Sequence, residues 1–212
     1  MNTLLIVIIV ANVLISFKGF NDQSFFRKYE FHMGSVRAGD QIRMFSSAFL
    51  HADIGHLAFN MLTLYFFAPV VIGYLGTLSF GITYFGSLIF GSLLTVVFHK
   101  NEYNYRAIGA SGAVTGILYS AILLEPDMML GIFFIIPIPA YLFGILYLLY
   151  SIYGMRAKND NIGHTAHFGG AIGGFLITLI INPHLFVENT LMVVLLTIPI
   201  LILFVMAKAG KI

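Results

Sequence analysis

Runs of about 20 predominantly apolar residues recur along nearly the whole chain, with short polar segments between them. A helix needs a run of this length to cross the hydrocarbon core of a bilayer, which is roughly 30 Å thick. Of the 212 residues, 59% are hydrophobic and only 9% are charged. An average soluble domain carries about a quarter charged residues. The sequence therefore predicts an all-α membrane protein whose helices form a polytopic bundle.

We place seven spans, bounded by charged loops, proline or glycine. They are Leu4–Phe17, His56–Leu75, Leu78–Phe98, Ala107–Leu124, Ala140–Tyr153, His164–Ile181 and Leu191–Ala207. An uncharged turn around Gly76 should join the second and third spans into a tight pair. Pro137-Ile138-Pro139 favours extended backbone before the fifth span. Residues 1–212 are interpreted as one membrane domain.

The amino-terminal part of the chain holds two further features. The run Leu4–Phe17 lacks the basic start and the small-residue cleavage site of a signal peptide, so we interpret it as the first span. The segment Lys18–Asp53 mixes charges of both signs with aromatic residues, and we expect it to be an amphipathic loop at the membrane interface.

Composition also excludes several classes of function. The chain has no cysteine, which rules out disulfides, thiolate metal sites and a cysteine nucleophile. Its net charge is only +2, and its basic residues form no stripe interleaved with aromatics, so nucleic acid is not an expected partner. The expected partner that surrounds the helices is the lipid bilayer.

Four polar residues are predicted to meet at one depth in the membrane. Spans two, four and six begin on the same side, because an even number of crossings separates them. Asn60, Ser111 and His167 lie in or near the first turns of these spans. His56 precedes Asn60 by four residues, so both should lie on one face of span two.

Small residues give spans four and six a way to approach closely. Stripes of glycine spaced four apart let membrane helices pack backbone to backbone. Such stripes are formed by Gly112 and Gly116 on span four, and by Gly169 with Gly173 and Gly170 with Gly174 on span six. Ser111 and His167 flank these stripes, so the two side chains could come into contact.

This constellation predicts nucleophilic catalysis. A serine hydroxyl becomes a good nucleophile when a neighbouring histidine accepts its proton, and the histidine can return that proton to a leaving amine. The Ser111 backbone N–H, the Asn60 amide and the His56 ring are candidate donors to the oxyanion.

Plainer interpretations remain open for the same residues. Ser111 could be packing material among glycines, and His167, His56 and Asn60 could be interhelical hydrogen-bonding groups. A metal-binding membrane protein is another alternative, since His51, Asp53, His56, His164 and His167 could supply ligands near one interface. The metalloprotease motif H-E-x-x-H is absent.

Four motifs in order resemble those of the rhomboid intramembrane serine proteases. The motifs are Ile42-Arg43-Met44-Phe45 leading to Phe49-Leu50-His51, then His56-Leu57-Ala58-Phe59-Asn60-Met61, then Gly109-Ala110-Ser111-Gly112, and finally Ala166-His167-Phe168-Gly169-Gly170 with Gly174. The similarity covers most of the chain, and the order of the motifs makes it specific.

The resemblance implies an endopeptidase with a Ser111–His167 dyad and no cofactor or metal. It implies a six-span core at about residues 38–182 with an appended seventh span at about 191–207. His56, Asn60 and the Ser111 backbone would stabilise the oxyanion. Supporting roles would fall to Arg43 in the first-loop motif, His51, Gly109, Gly112 and Gly170.

The expected substrates are membrane proteins cut in or near a transmembrane segment that unwinds readily. Span five and the loop Arg156–Gly163 would correspond to the region where substrate and water enter. The expected location is the bacterial plasma membrane, as an integral multi-pass protein. An inactive rhomboid-like protein that binds membrane helices is the alternative within the family.

The chain departs from the family pattern at two positions. Ile72 stands where many members carry a glutamate, four residues before the glycine that matches Gly76. Thr115 stands where many members carry a tyrosine that packs on the catalytic histidine, so another group should hold the His167 ring.

Overall fold

The computed structural model describes residues 2–132, 136–157 and 162–212. The elements in chain order are α1 (Thr3–Asn21), α2 (Gln23–Tyr29), β1 (Phe31–His32), α3 (Met33–Arg37), α4 (Arg43–Ser46), the 3₁₀ helix η1 (Ser47–Phe49), α5 (Ile54–Phe98), β2 (Arg106–Ala107), α6 (Ser111–Leu124), β3 (Met129–Ile132), β4 (Ile136–Pro139), α7 (Ala140–Ala157), α8 (His164–Ile181), α9 (Leu185–Glu188) and α10 (Thr190–Lys208).

Gly76 divides the long helix α5 into two. As one straight helix, its 45 residues would extend roughly 68 Å, about twice the thickness of the hydrocarbon core. At Gly76 the backbone has φ 82° and ψ 169°, a conformation outside the helical region that glycine adopts without steric cost. The predicted turn between spans two and three is confirmed.

Four of the described helices are long and apolar enough to cross a membrane by length and composition. These are α1, α5, α8 and α10, and α6 is a shorter apolar helix. With α5 divided at Gly76 and α7 included, each predicted span corresponds to a helix. The protein is a polytopic bundle of membrane helices.

The centre of the bundle is α6, which packs against α5, α7 and α8. Every residue of α6 after Ser111 is buried. A helix that is apolar on all sides suits such a position, because it meets other helices on every face. By contrast, α10 buries only Leu196, Pro199 and Leu203 and lies at the edge of the bundle, next to α7.

The segment predicted as one interfacial loop is more ordered than expected. Helix α1 continues past Lys18 to Asn21, and α2, α3, α4 and η1 occupy much of the chain between α1 and α5. Local capping explains part of this, since the Asp22 carboxylate accepts a hydrogen bond of 2.9 Å from the Phe25 N–H at the start of α2.

The fourth span begins later than predicted. Residues Arg106–Ala107 are not helical but form β2, which pairs antiparallel with β1 in the register Phe31↔Ala107 and His32↔Arg106. Gly109 then has φ +112°, and α6 begins only at Ser111. The prediction of Ala107 as the start was wrong because the distant strand β1 holds this segment extended.

The backbone around Pro137 to Pro139 is extended, as predicted. Strand β4 pairs antiparallel with β3, with Leu130 opposite Ile138. Helix α7 begins directly afterwards at Ala140 and ends at Ala157, beyond the predicted end at Tyr153. Helix α8 has the predicted bounds.

Candidate active site

Ser111 and His167 lie side by side at the amino-terminal ends of two neighbouring helices. Their closest atoms, the Ser111 Oγ and the His167 Nε2, are 2.6 Å apart. Ser111 is the first residue of α6, and His167 follows three residues after the start of α8. His167 is 8% exposed, so bulk water has little access to its ring.

The glycine stripes bring α6 and α8 together at backbone distance. A Cβ built on Gly170 would overlap the Gly112 carbonyl, and one built on Gly174 would overlap the Gly116 carbonyl. The predicted close approach of the two helices is thereby confirmed. Any larger side chain at these positions would separate the helices that carry Ser111 and His167.

Gly109 shapes the turn that leads into α6. Its φ of +112° lies in the region that favours glycine, and its N–H donates to the Ser47 carbonyl at 3.0 Å. A Cβ built on Gly109 would lie 2.8 Å from the His56 Nε2 and 3.7 Å from the Ser111 Oγ. Gly109 therefore lets the His56 ring approach the serine.

His56 and Asn60 lie on one face at the start of α5, as predicted. The Asp53 side chain caps this helix by accepting the His56 N–H at 2.8 Å. Asn60 is 2% exposed, and its Nδ2 donates to the His56 carbonyl at 3.0 Å. The second N–H of the same amide group makes no hydrogen bond to any residue that the structure describes.

The tautomer of His56 follows from its neighbour Ala52. The Ala52 N–H donates to the His56 Nδ1 in a long hydrogen bond of 3.5 Å. This contact favours the tautomer that carries its proton on Nε2. The Nε2–H is then the donor that lies next to Gly109.

His51 connects α1 to the turn before Ser111. The Ser16 hydroxyl donates to the Phe49 carbonyl at 2.9 Å and therefore accepts from the His51 Nδ1 at 2.8 Å. The His51 Nε2 is left as an acceptor for the Ala110 N–H, at 3.4 Å. His51 is fully buried, and this burial lowers its pKa to about 3. The ring is neutral near neutral pH.

The Arg43 side chain makes its hydrogen bonds within the segment between α1 and α5. Its Nε donates to the Asp40 carboxylate at 2.6 Å. Its Nη1 donates to the backbone carbonyls of Arg27 at 2.8 Å and Glu30 at 3.1 Å. These bonds tie α4 to the end of α2.

Tyr147 is a site residue that the sequence did not predict. Its hydroxyl group is 2.7 Å from the His167 Nδ1, and the two rings are stacked at an interplanar angle of 25°. Many family members hold this histidine ring with a tyrosine at the position of Thr115. In this chain Tyr147 holds the His167 ring instead. The available signal was a tyrosine within the apolar run of α7, but that helix carries four, Tyr141, Tyr147, Tyr150 and Tyr153.

The candidate metal ligands do not form a metal site in the described part of the chain. Within residues 2–132, 136–157 and 162–212, no group of three histidine, aspartate or glutamate side chains is arranged to hold a metal ion. His51 and His56 instead make an edge-to-face ring contact.

A small cavity adjoins the serine. Its volume is about 40 Å³, and its polar lining includes Ser47, Ser92, Thr95 and Ser111. A site needs only about 10–15 Å³ of this kind of space to hold a water molecule, provided that polar partners are present. The cavity is therefore large enough for water.

Comparison with known proteins identifies the family. A model of the rhomboid domain matches residues 38–184. The chain belongs to the rhomboid family. RHOMBOID-like protein 12, mitochondrial, from Arabidopsis thaliana is 30% identical over 181 residues, which cover 78% of this chain and 54% of that protein. The chain thus spans about half the length of this relative.

Two bacterial relatives carry protease names. Putative rhomboid protease YdcA from Bacillus subtilis (strain 168) is 32% identical over 147 residues, or 68% of this rhomboid chain and 69% of the relative. Rhomboid protease GluP from the same organism is 31% identical over 140 residues, or 66% of this chain and 26% of the relative. Membership of the rhomboid family supports a protease-like function within a membrane.

Proposed function

We propose that this rhomboid protein is a serine endopeptidase that hydrolyses peptide bonds in or near transmembrane segments of other proteins. Ser111 is the nucleophile and His167 is the general base and acid. The contact of 2.6 Å between the Ser111 Oγ and the His167 Nε2 carries this proposal, because proton transfer requires hydrogen-bond reach.

In this mechanism the Ser111 Oγ attacks the carbonyl carbon of the substrate while the His167 Nε2 accepts the hydroxyl proton. The resulting tetrahedral intermediate collapses when His167 donates that proton to the leaving amine. A water molecule then attacks the acyl-enzyme with His167 again as base. The cavity beside Ser111 offers space for this water.

We infer that three groups stabilise the oxyanion, beginning with the Ser111 backbone N–H. The first N–H groups of a helix have no partner within the helix, and Ser111 is the first residue of α6. The His56 Nε2–H and the second Asn60 N–H supply the other donors. The positive ends of α6 and α8 both meet here, which further favours negative charge.

The expected substrate follows from the shielding of peptide bonds within a helix. Peptide bonds in a helix are covered by their own hydrogen bonds and side chains, so the bond to be cut must first become extended. Substrate segments with glycine and other weak helix formers unwind at lower cost. The preferred substrates are therefore transmembrane segments with such residues near the cleavage site.

Part of the expected entrance lies outside the described residues. The loop Arg156–Gly163 was predicted to border the access route, and residues 158–161 of that loop are not described. The location in a bacterial plasma membrane stays a prediction, because the relatives include mitochondrial as well as bacterial proteins.

The test is cleavage of a single-span membrane substrate by purified protein in detergent and in liposomes. We expect the wild type to cleave and Ser111→Ala and His167→Ala to lose cleavage by at least about 10⁴-fold. A fluorophosphonate probe should modify the wild-type protein at Ser111, as read by mass spectrometry, which requires no knowledge of the natural substrate.

Ser120→Ala is the matched control, because Ser120 also lies on α6 and contacts α8 through a hydrogen bond of 2.7 Å from the Thr178 hydroxyl. This variant should keep its cleavage activity. Persistent cleavage in Ser111→Ala would refute the proposal. Wild-type protein that is folded but shows neither cleavage nor probe labelling would favour the inactive helix-binding alternative.

A further inference from the structure

The two ring nitrogens of His167 contact side chains from two different helices. The Nε2 lies 2.6 Å from the Ser111 Oγ, and the Nδ1 lies 2.7 Å from the Tyr147 hydroxyl oxygen. A tyrosine hydroxyl can donate or accept, so the second contact forms with either neutral tautomer of the histidine. Whichever tautomer is present, the two contacts together fix the rotation of the ring about its Cβ–Cγ bond.

Stacking restrains the same ring in a second way. The Tyr147 and His167 rings have centroids 5.8 Å apart and an interplanar angle of 25°. Because a histidine ring that swings away from Ser111 cannot accept its proton, the orientation that Tyr147 imposes matters for catalysis. Ser111 lies on α6 and His167 on α8, whereas Tyr147 comes from α7.

Helix α7 is seated on its neighbours at two glycines that flank Tyr147. On one side of the tyrosine, the Tyr119 hydroxyl of α6 donates to the Gly144 carbonyl. On the other side, a Cβ built on Gly154 would overlap the His164 ring of α8. The His164 ring therefore packs directly on the backbone of α7.

Helix geometry places these contacts on one side of α7. At about 100° per residue, Gly144, Tyr147 and Gly154 fall within about 80° of one another around the helix axis. The packing of Gly154 on His164 therefore sets the height and the rotation at which Tyr147 meets His167. His164 and His167 are three residues apart on α8, so one turn of that helix makes both contacts.

The His164 ring is confined on its other sides. It is 4% exposed, and it lies edge to face with the Tyr150 ring at 5.3 Å and with the His167 ring at 6.3 Å. Helix α7 packs against α6, α8 and the edge helix α10, so it is less enclosed than α8. A methyl group added at Gly154 would therefore displace α7.

We propose that Tyr147 and Gly154 are positioning residues, which align His167 with Ser111 only when α7 is docked against α8. This inference rests on the proposed protease function. It makes α7 a third structural part of the candidate site, beside the two helices that carry the dyad. Any event that displaces α7 therefore interrupts catalysis until α7 docks again.

The first test replaces Tyr147 in two steps. Tyr147→Phe keeps the stacked ring and removes the hydrogen bond, and we expect kcat to fall about 10-fold with little change in KM. Tyr147→Leu removes both restraints and should lower kcat about 100-fold, the factor expected when a reacting group shifts by about 1 Å. Tyr141→Phe removes a hydroxyl from the same helix and should leave kcat unchanged. Wild-type kcat in Tyr147→Leu would overturn the proposal.

Gly154→Ala tests whether the docking of α7 acts through Tyr147. We expect this variant to lower kcat about 10-fold to 100-fold, again with little change in KM. In Tyr147→Leu the link between α7 and the histidine is already lost, so the added methyl group should lower kcat little further. Strictly multiplied effects of the two changes would show that they act independently, which would overturn the coupling.

A compensating change tests the steric origin of the effect. His164→Ala removes the ring that the added methyl group would meet, so Gly154→Ala should lower kcat much less in His164→Ala protein than in the wild type. Equal factors in the two backgrounds would contradict the docking contact. Gly73→Ala is the control, because a Cβ built on this helical glycine meets no atom within 4 Å, and it should keep the wild-type kcat.

Solid-state NMR of protein with ¹⁵N-labelled histidine in liposomes detects the same coupling without a substrate. Tyr147→Phe should shift the Nδ1 signal of His167, which is assigned by its loss in His167→Ala. Gly154→Ala should shift this signal in the same direction, although Tyr147 is still present. A signal at the wild-type position in Gly154→Ala would overturn the inference.

Failure of this inference and failure of the proposed function give different results. If α7 does not align the histidine, Ser111-dependent cleavage continues at the wild-type rate in Tyr147→Leu and Gly154→Ala. If the protein is not a protease, the wild type shows neither Ser111-dependent cleavage nor fluorophosphonate labelling. Thermal unfolding in detergent checks that each variant is folded.

Discussion

The imidazole of His51 accepts a hydrogen bond of 3.4 Å from the backbone N–H of Ala110, the residue before Ser111. The other ring nitrogen of His51 bonds to Ser16 on α1 at 2.8 Å. One buried side chain therefore connects the first helix to the turn that presents the candidate nucleophile. This arrangement works only while the ring is neutral, because a protonated Nε2 could not accept.

The stability of the protein should fall as the pH is lowered from about 6.5 to about 4.5. In the folded chain, burial lowers the pKa of His51 from its ordinary 6.5 to about 3. Between these values the unfolded chain binds a proton that the folded chain does not, so acid favours unfolding. Stability is full above pH 6.5 and decreases below it by up to about 1.4 kcal/mol per pH unit from this one group.

Thermal unfolding in detergent at several pH values measures this slope, with His51→Gln as the comparison. Glutamine can still donate to Ser16 and accept from Ala110, but it does not titrate. The slope of the free energy of unfolding against pH counts the protons taken up on unfolding. We expect this slope to correspond to one fewer proton in His51→Gln than in the wild type. Equal slopes in the two proteins would show that His51 is not the group responsible.

Replacing Gly109 with alanine should abolish most of the activity. The change imposes a strained φ, which costs about 1–3 kcal/mol, and it also pushes the His56 ring away from the serine. Loss of one oxyanion donor lowers kcat by about 100-fold to 1000-fold in serine proteases. Cleavage kinetics and thermal unfolding of Gly109→Ala measure the two effects.

Gly39→Ala is the matched control for that experiment. Gly39 has a similar positive φ of +104°, but a Cβ built there meets no atom within 4 Å. It should show a comparable loss of stability and keep its activity. Full activity in Gly109→Ala would contradict the placement of His56 at the oxyanion.

Sequence patterns that depend on neighbouring residues predicted the spans well. The glycine at position 76 ends one helix and starts the next, and the bounds of α8 are those expected from its apolar run. Glycine spacing also predicted that α6 and α8 touch. In each case the information lies within a few turns of one helix.

Contacts between distant segments could not be predicted in the same way. The start of α6 at Ser111 depends on the pairing of β2 with β1, which no local pattern reveals. Likewise, which of the four tyrosines of α7 meets His167 depends on how far that helix is rotated about its axis. The local pattern of apolar residues in α7 does not reveal this rotation.

Gly170→Ala should destabilise the bundle and separate the dyad. A methyl group at this position would overlap the Gly112 carbonyl, so the two helices must move apart. Such overpacking typically costs about 1–3 kcal/mol, and a shift of about 1 Å in a reacting group can lower the rate about 100-fold.

Gly73→Ala should instead stabilise the protein by about 0.5–1 kcal/mol, because Gly73 is an exposed helical position with no atom within 4 Å of the added carbon. Thermal unfolding and cleavage rates of both variants decide between these expectations, and an active, stable Gly170→Ala protein would contradict the first.

Glu30 is the residue immediately before β1. It is 2% exposed, and its carboxylate forms an ion pair with Arg106 on β2. The Glu30 Oε1 also lies 3.2 Å from the Arg27 Nη1. These pairs hold the β1–β2 ladder that precedes the turn to Ser111.

Glu30→Gln should lower stability by about 1–2 kcal/mol, less than the loss of a fully buried pair, because both arginines remain partly exposed to solvent. We expect faster backbone hydrogen exchange at residues 106–110 and a reduced cleavage rate with the dyad intact. Asp22→Asn provides the control, since it removes the exposed ion pair with Lys18 but keeps a side chain that can cap α2. The control should unfold and cleave like the wild type. Unchanged exchange at residues 106–110 in Glu30→Gln would show that the backbone pairing with β1 alone holds this segment in place.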